Sequence, residues 1–160
     1  MAKRVSALLL AFLLLTAGTA NAGGVYYEIF PSSYRDTDGD GVGDLAGVTA
    51  SAAYLQSLGV NGIWLTPFFS GASYHKYDVL DYQSVDPSLG TLEDFDALAG
   101  EYHARGMRVM LDLVINHTSN EHPWFRSAVK SLTVEPCADG SCAGGVPCRA
   151  HNPYVNYYPF

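Results

Sequence analysis

The chain has 160 residues, with 16 acidic against 9 basic side chains, a net charge of −7 and 48% apolar composition. That acidity argues against nucleic acid or an anionic membrane surface as a partner and suits neutral substrates and cations. The 11 tyrosines fit the flat apolar faces of sugar rings as well as they fit a core, and the core is the default for most of them.

Lys3 and Arg4 precede an apolar run, Ala7 to Leu15, that passes into Thr16-Ala17-Gly18-Thr19-Ala20-Asn21-Ala22. Charged, apolar and small-residue regions in that order are those of a secretory signal, with Ala20 and Ala22 at the cleavage site. The run is too short for a bilayer, which needs roughly 20 apolar residues, and no later segment reads as a membrane anchor. Residues 1–22 are therefore expected to be a signal peptide, and the mature chain to begin near Gly23, secreted or periplasmic. What is left suits one ordinary domain and falls short of the roughly 250 residues of a complete α/β barrel.

Val25-Tyr26-Tyr27-Glu28-Ile29-Phe30 reads as a first strand, stopped by Pro31 and followed by a glycine-rich acidic loop, Asp36 to Asp44. Val48, Ala52, Leu55 and Leu58 then fall on one face at helical spacing, and Gly59 stands where a helix C-cap belongs. Gly62 to Thr66 is a second strand closed by Pro67, and a long loop is expected from Phe68 to Gly90. Thr91 caps a second helix with Glu93 and Asp94 in its first turn and Leu92, Phe95, Leu98, Ala99 and Tyr102 as its buried stripe. Gly106 ends it. Gly106-Met107-Arg108-Val109-Met110-Leu111 together with Asp112-Leu113-Val114-Ile115-Asn116-His117 reads as a third, buried strand, too short and too β-branched for a helix, with its polar groups at the far end.

Strand, helix, strand, helix, strand implies parallel strands joined by right-handed crossovers. Ligands of such sheets sit at the carboxyl ends of the strands, so Asp112, Asn116 and His117 are expected to face one. After His117 the alternation stops. Pro123 opens a short helix through Trp124, Phe125 and Val129, and a tract rich in cysteine, glycine and proline runs to the aromatic end Tyr154 to Phe160. An exported chain meets an oxidising compartment, so a disulfide is expected among Cys137, Cys142 and Cys148, whose spacing lacks the usual pairing of a zinc site. Three strands cannot close a barrel and would leave two sheet edges bare, so the sequence reads as cut short.

The loop Asp36-Thr37-Asp38-Gly39-Asp40-Gly41-Val42-Gly43-Asp44 carries a metal signal. Carboxylates at alternate positions turn inward where glycines allow tight turning, and Asp36, Asp38, Asp40 and Asp44 with the Val42 carbonyl form an all-oxygen set suited to Ca²⁺. Gly47 occupies the place of the twelfth-position glutamate of an EF-hand, which argues against that motif.

Tyr27-Glu28-Ile29-Phe30-Pro31, the Asp36 loop, Gly59 to Pro67, Tyr74-His75-Lys76-Tyr77-Asp78-Val79-Leu80-Asp81-Tyr82, Gly90 to Phe95, Asp112 to His117 and His122-Pro123-Trp124-Phe125 together resemble the α-amylase family of glycoside hydrolases, glycoside hydrolase family 13. The resemblance implies a (β/α)₈ TIM barrel, of which residues 23–117 are the N-terminal part with strands one to three and helices one and two. Residues 118–160 would begin the excursion inserted after strand three. It also implies a retaining hydrolase of α-glucosidic bonds in starch-like or malto-oligosaccharide substrates; with the signal-like start and the acidity, the whole protein is expected to be secreted, without a nucleic-acid partner or membrane anchor, and monomeric at full length.

By the same resemblance Tyr77 stacks under the sugar being cleaved, His117 hydrogen-bonds one of its hydroxyls and His75 lines the pocket. Asp112 organises its neighbours, Asn116 is a candidate calcium ligand, and Lys76, where relatives usually carry glycine, brings a flexible cation near the pocket. His103 reads as exposed, and His122 and His151 as caps or loop packing. The catalytic carboxylates of the family sit on barrel strands four, five and seven, so no catalytic residue is assigned within this chain, and Asp78, Asp81 and Asp86 have no spacing that makes an acid and nucleophile pair. The alternatives are a transglycosylase or isomerase of the same family acting on maltose- or trehalose-like sugars, and a non-catalytic calcium-dependent domain of amylase type.

Overall fold

The computed structural model describes residues 23–134, 142 and 147–159. The signal-like segment 1–22 and Cys137 lie outside them. Three strands, β1 (Tyr26–Ile29), β2 (Gly62–Leu65) and β5 (Arg108–Leu111), form one parallel sheet in the order β1-β2-β5. Tyr26 stands opposite Gly62, and Gly62 opposite Arg108, so all three strands start level and deliver their carboxyl ends to the same side.

The first helical stretch differs from its expected span of 48–58. It is two short helices, α1 (Leu45–Ala50) and α2 (Ala52–Ser57), broken at Ser51. The Thr49 and Ser51 hydroxyls each donate to the carbonyl four residues back, Leu45 at 2.9 Å and Gly47 at 2.9 Å, and such back-bonding weakens and bends a helix. The start lies before Val48 because Asp44 is the N-cap, accepting the Gly47 N–H at 2.6 Å.

The segment from Phe68 to Gly90 is not a plain loop. It holds an antiparallel hairpin of β3 (Phe69–Gly71) and β4 (Val79–Val85), with register shifts on both sides of Ser70. This hairpin is separate from the parallel sheet and rises beyond the end of β2.

Helix α3 (Leu92–Ala104) carries a reciprocal cap: Thr91 accepts the Asp94 N–H at 3.2 Å, and Asp94 accepts the Thr91 N–H at 2.8 Å. Leu98 and Tyr102 are buried, whereas Leu92, expected in the same stripe, is 52% exposed because it opens the first turn. Leu58, at the end of α2, is also exposed. Gly59 and Gly106 follow the two helices with φ of +80° and +73°, left-handed geometry that glycine adopts without a Cβ penalty.

Ile29, Leu45, Val48, Leu55, Ile63, Leu65, Leu98 and Tyr102 form the core between helices and sheet. Each large apolar side chain among them contributes about 1.5–3 kcal/mol on full burial. The Tyr102 hydroxyl donates to the Val48 carbonyl at 2.9 Å, tying α3 to α1.

Helix α4 (Pro123–Ser131) starts with proline at its first position, where no N–H is needed, and His122 Nδ1 accepts the Trp124 N–H at 3.1 Å. Trp124 stacks on Tyr154 with centroids 5.7 Å apart, which draws the final tyrosines back over this helix. The third strand is shorter than the expected run from 106 to 117 and is not buried: Met110, Leu111, Leu113 and Ile115 are exposed along β5 and its continuation.

Candidate functional site

Parallel pairing places the residue after β5 beside the end of β2: the Asp112 N–H donates to the Leu65 carbonyl at 2.9 Å. The carboxylate of Asp112 then bridges two elements. Its Oδ1 accepts from the Trp64 indole N–H at 2.9 Å, and its Oδ2 accepts from the Tyr77 hydroxyl at 2.8 Å. The bond to Asp112, with burial second, pushes the Tyr77 phenol above its ordinary range.

His117 extends the array. Its Nε2 lies 3.1 Å from the Tyr77 carbonyl, and a carbonyl can only accept, so Nε2 is the donor. Asn116 Nδ2 lies 3.4 Å from His117 Nδ1. Trp64, Asp112, Tyr77, His117 and Asn116 therefore form one hydrogen-bonded series across β2, the end of β5 and the tip of the hairpin. Tyr77 keeps 43% of its surface exposed, and His117 lines a cavity of about 470 Å³ with Tyr82, Val114, Asn116, Trp124 and Tyr158. The Tyr82 hydroxyl donates to the Val114 and His117 carbonyls, at 2.6 and 3.0 Å, and fixes the turn that carries His117.

The structure separates other residues from this series. His75 stacks on Phe30 beyond β1, with centroids 5.2 Å apart and planes 17° apart, and Tyr74 packs edge-on to both. Lys76 is not a flexible cation over the pocket. It sits at φ +60° and its Nζ pairs with Asp86 at 2.8 Å, with both side chains largely buried. Burial raises the Asp86 carboxyl, but hydrogen bonds from Lys76, Ser88 and Gly71 outweigh it and hold the group below the usual carboxylate range. Asp78 accepts from Ser73, and Asp81 from Gln83 and Ser84, so these carboxylates serve turns of the hairpin.

Sequence reasoning missed Trp64 and Tyr82. Trp64 is 38% exposed inside an otherwise buried strand, and strict alternation along β2 is the signal that would have turned it away from the core.

The acidic loop winds through successive side-chain turns. Asp36 accepts the N–H groups of Asp38, Gly39 and Gly41, Asp38 accepts that of Asp40, and Asp40 that of Val42. The winding brings carboxylate oxygens of Asp36, Asp38 and Asp40 within 4.8 Å of one another. The Gly39 and Gly41 N–H groups hold Asp36 below its ordinary value. Asp44 stands at the close of the loop, with Oδ1 on Gly47 and Oδ2 on the Thr37 N–H and hydroxyl, each at 2.8 Å. Burial raises its carboxyl, and the Thr37 and Gly47 bonds outweigh burial and lower it. A carboxylate offers about four lone-pair sites, so Asp44 retains capacity for a cation. Any side chain at Gly47 would run into the Arg35 carbonyl, which bars a twelfth-position glutamate. Asn116 joins His117 and not this loop.

A family model described as the alpha amylase catalytic domain matches residues 28–159. A probable alpha-glucosidase of Rhizobium meliloti is 54% identical over 104 residues, 64% of this chain and 19% of that protein. The alpha-amylase SusG of Bacteroides thetaiotaomicron is 44% identical over 136 residues, 85% of this chain and 17% of that protein. Among solved structures, Eubacterium rectale Amy13B superposes with a TM-score of 0.75 at 48% identity, covering 85% of this chain and 25% of that one. The chain thus spans about a fifth of the length of the curated relatives it matches.

Proposed function

The chain belongs to the α-amylase catalytic-domain family, as the N-terminal part of its TIM barrel, and from that premise we propose that it supplies the sugar-facing wall of a secreted enzyme that hydrolyses α-glucosidic bonds in starch-like or malto-oligosaccharide substrates. The observation that carries this reading is the hydrogen-bonded series Trp64, Asp112, Tyr77, His117 at the carboxyl ends of the parallel strands. The half-exposed ring of Tyr77 offers an apolar face to a pyranose. The Nε2–H of His117 is a donor that a sugar hydroxyl can take over from the Tyr77 carbonyl. Asp112 positions both by holding the Tyr77 phenol and the Trp64 indole.

Hydrolysis with retention needs two carboxyl groups about 5 Å apart. We assign neither to Asp78, Asp81 or Asp86, which serve the hairpin, and take the pair to come from other parts of the whole protein. Ca²⁺ is proposed at the acidic loop, held by Asp36, Asp38, Asp40, the Val42 carbonyl and Asp44. Bound there it would neutralise converging carboxylates and brace the entry to α1. Saturating Ca²⁺ should raise Tm in the native chain and leave Asp38→Ala nearly unmoved; an equal response of the two removes the loop as the site. Export rests on the segment 1–22, and N-terminal sequencing of the secreted protein should start near Gly23.

The test uses the whole protein with maltoheptaose, following the newly released anomer by proton NMR. The α-anomer should appear first. Release of the β-anomer, or no cleavage, overturns the reading, and glucosyl transfer products without hydrolysis would make the enzyme a transglycosylase. Tyr77→Ala should lower kcat/KM by about tenfold or more, roughly 1.4 kcal/mol of lost transition-state binding, and Tyr77→Phe much less, since the ring face stays.

A further inference from the structure

The segment after α4 holds a second group of donor atoms, remote in chemistry from both the sugar wall and the acidic loop. Cys142, Cys148 and His151 place their ligand atoms within 4.8 Å of one another. His151 Nδ1 lies 3.4 Å from Cys142 Sγ and 3.5 Å from Cys148 Sγ. An imidazole nitrogen has one in-plane lone pair or one hydrogen, so it cannot make two good hydrogen bonds with two sulfurs at once. The spacing does fit donors that share a central ion. With Zn–S of about 2.3 Å and Zn–N of about 2.0–2.1 Å at a tetrahedral angle, nitrogen and sulfur ligands stand about 3.5 Å apart.

The backbone supports the same arrangement. The Cys148 N–H donates to Cys142 Sγ at 3.3 Å, which fixes that sulfur beside the turn. The His151 and Asn152 N–H groups both close on the Cys148 carbonyl at 3.0 Å, which makes Cys148-Arg149-Ala150-His151 a tight turn with both side chains on one side. Buried Asn152 anchors that turn to α4, its amide donating to the Ser127 carbonyl at 2.9 Å and hydroxyl at 3.0 Å. In the sequence, export favours a disulfide here, the cysteine spacing argues against zinc, and His151 reads as a cap or loop packing; the third donor becomes visible once the turn is folded.

We propose that Cys142, Cys148 and His151 bind a zinc ion that ties Cys142 to the Cys148–His151 turn packed on α4, with the fourth tetrahedral position taken by water or a further donor. Soft thiolates with one imidazole select Zn²⁺ over the Ca²⁺ suited to the all-oxygen loop. Binding converts two thiols to thiolates, so the ion enters and two protons leave to the solvent, with no change of oxidation state.

The experiment uses the full chain, purified without chelator or reductant, with metal content read by mass spectrometry and Co²⁺ as the spectroscopic probe. The expected result is about one zinc per chain and, on titrating the stripped protein at fixed pH, about two protons released per ion. Co²⁺ should give a thiolate-to-metal charge-transfer band in the near ultraviolet. Cys148→Ser and His151→Asn should weaken zinc binding by at least about tenfold, the scale on which even supporting residues act, while Asp38→Ala should not. Because Cys148 is buried and its variant could unfold, half-exposed Cys142→Ser with an unchanged far-ultraviolet circular dichroism spectrum gives the deciding comparison. Zinc-free protein whose Cys142 and Cys148 are joined in a disulfide overturns the proposal, as does zinc retained by Cys142→Ser and His151→Asn alike.

Discussion

Asp44→Ala should cost about 3 kcal/mol at neutral pH, and the structure says how. The variant loses the N-cap bond to Gly47, worth about 1 kcal/mol. It also loses the Thr37 N–H and hydroxyl bonds to a carboxylate that is only 8% exposed, where charge-assisted bonds contribute about 1.5–3 kcal/mol. The folded-state carboxyl is lowered below its ordinary value, so its contribution is complete above the unfolded value near 3.9 and disappears as pH falls through the folded one. Urea unfolding of wild type and variant, with a chelator present so that no metal enters, should show the full gap at pH 7 and a narrowing gap below about pH 4. A gap under about 1 kcal/mol at pH 7, or one that stays constant into acid, would refute the reasoning.

Lys76→Ala should destabilise by about 2 kcal/mol, short of the 3–5 kcal/mol of a fully buried pair because Asp86 keeps Ser88 and Gly71. Lys76→Gly should recover about 1 kcal/mol of that in the same denaturant assay, since φ of +60° suits glycine. Tyr102→Phe should lose about 1 kcal/mol, and because burial pushes the Tyr102 phenol far up, a spectrophotometric alkaline titration should count one fewer late-ionising tyrosine in that variant. Gly47→Ala forces the Arg35 carbonyl and α1 apart and should cost about 1–3 kcal/mol, the range of overpacking; thermal unfolding within 1 °C of wild type would show that the loop yields freely.

What the sequence made legible is what local signals control. Thr91, Asp94 and Gly106 bracket α3 because capping is settled within four residues, and the repeat of helix, glycine and strand carries the parallel sheet with it. The hairpin of β3 and β4 escaped because β3 is three residues long and its register slips at Ser70, although the alternation of Leu80, Tyr82 and Ser84 against Asp81 and Gln83 was there to read. Leu58 and Leu92 fit the helical period and are still exposed, since a helix end covers less of its apolar face than its middle. Asp112, Tyr77 and His117 were named, but their linkage was not readable: Trp64 lies 48 and Tyr77 35 residues from Asp112, separations at which no periodicity speaks. Lys76 was misplaced for the same reason, its partner Asp86 lying across the hairpin.

The two oxygens of Asp112 each answer to a different element, and this bears on how such a wall can change over generations. A single substitution at Trp64 or Tyr77 frees one oxygen and leaves the other bond intact, whereas loss of Asp112 releases both donors together. Effects at these three positions should therefore be strongly non-additive, because residues that share one partner couple. A lineage that first lost Asp112 would find later loss of the Trp64 indole N–H or the Tyr77 hydroxyl nearly neutral, while one that lost the Tyr77 hydroxyl first would still be constrained at Asp112 by the indole. The order of substitutions, more than their number, would decide which walls remain reachable from this one.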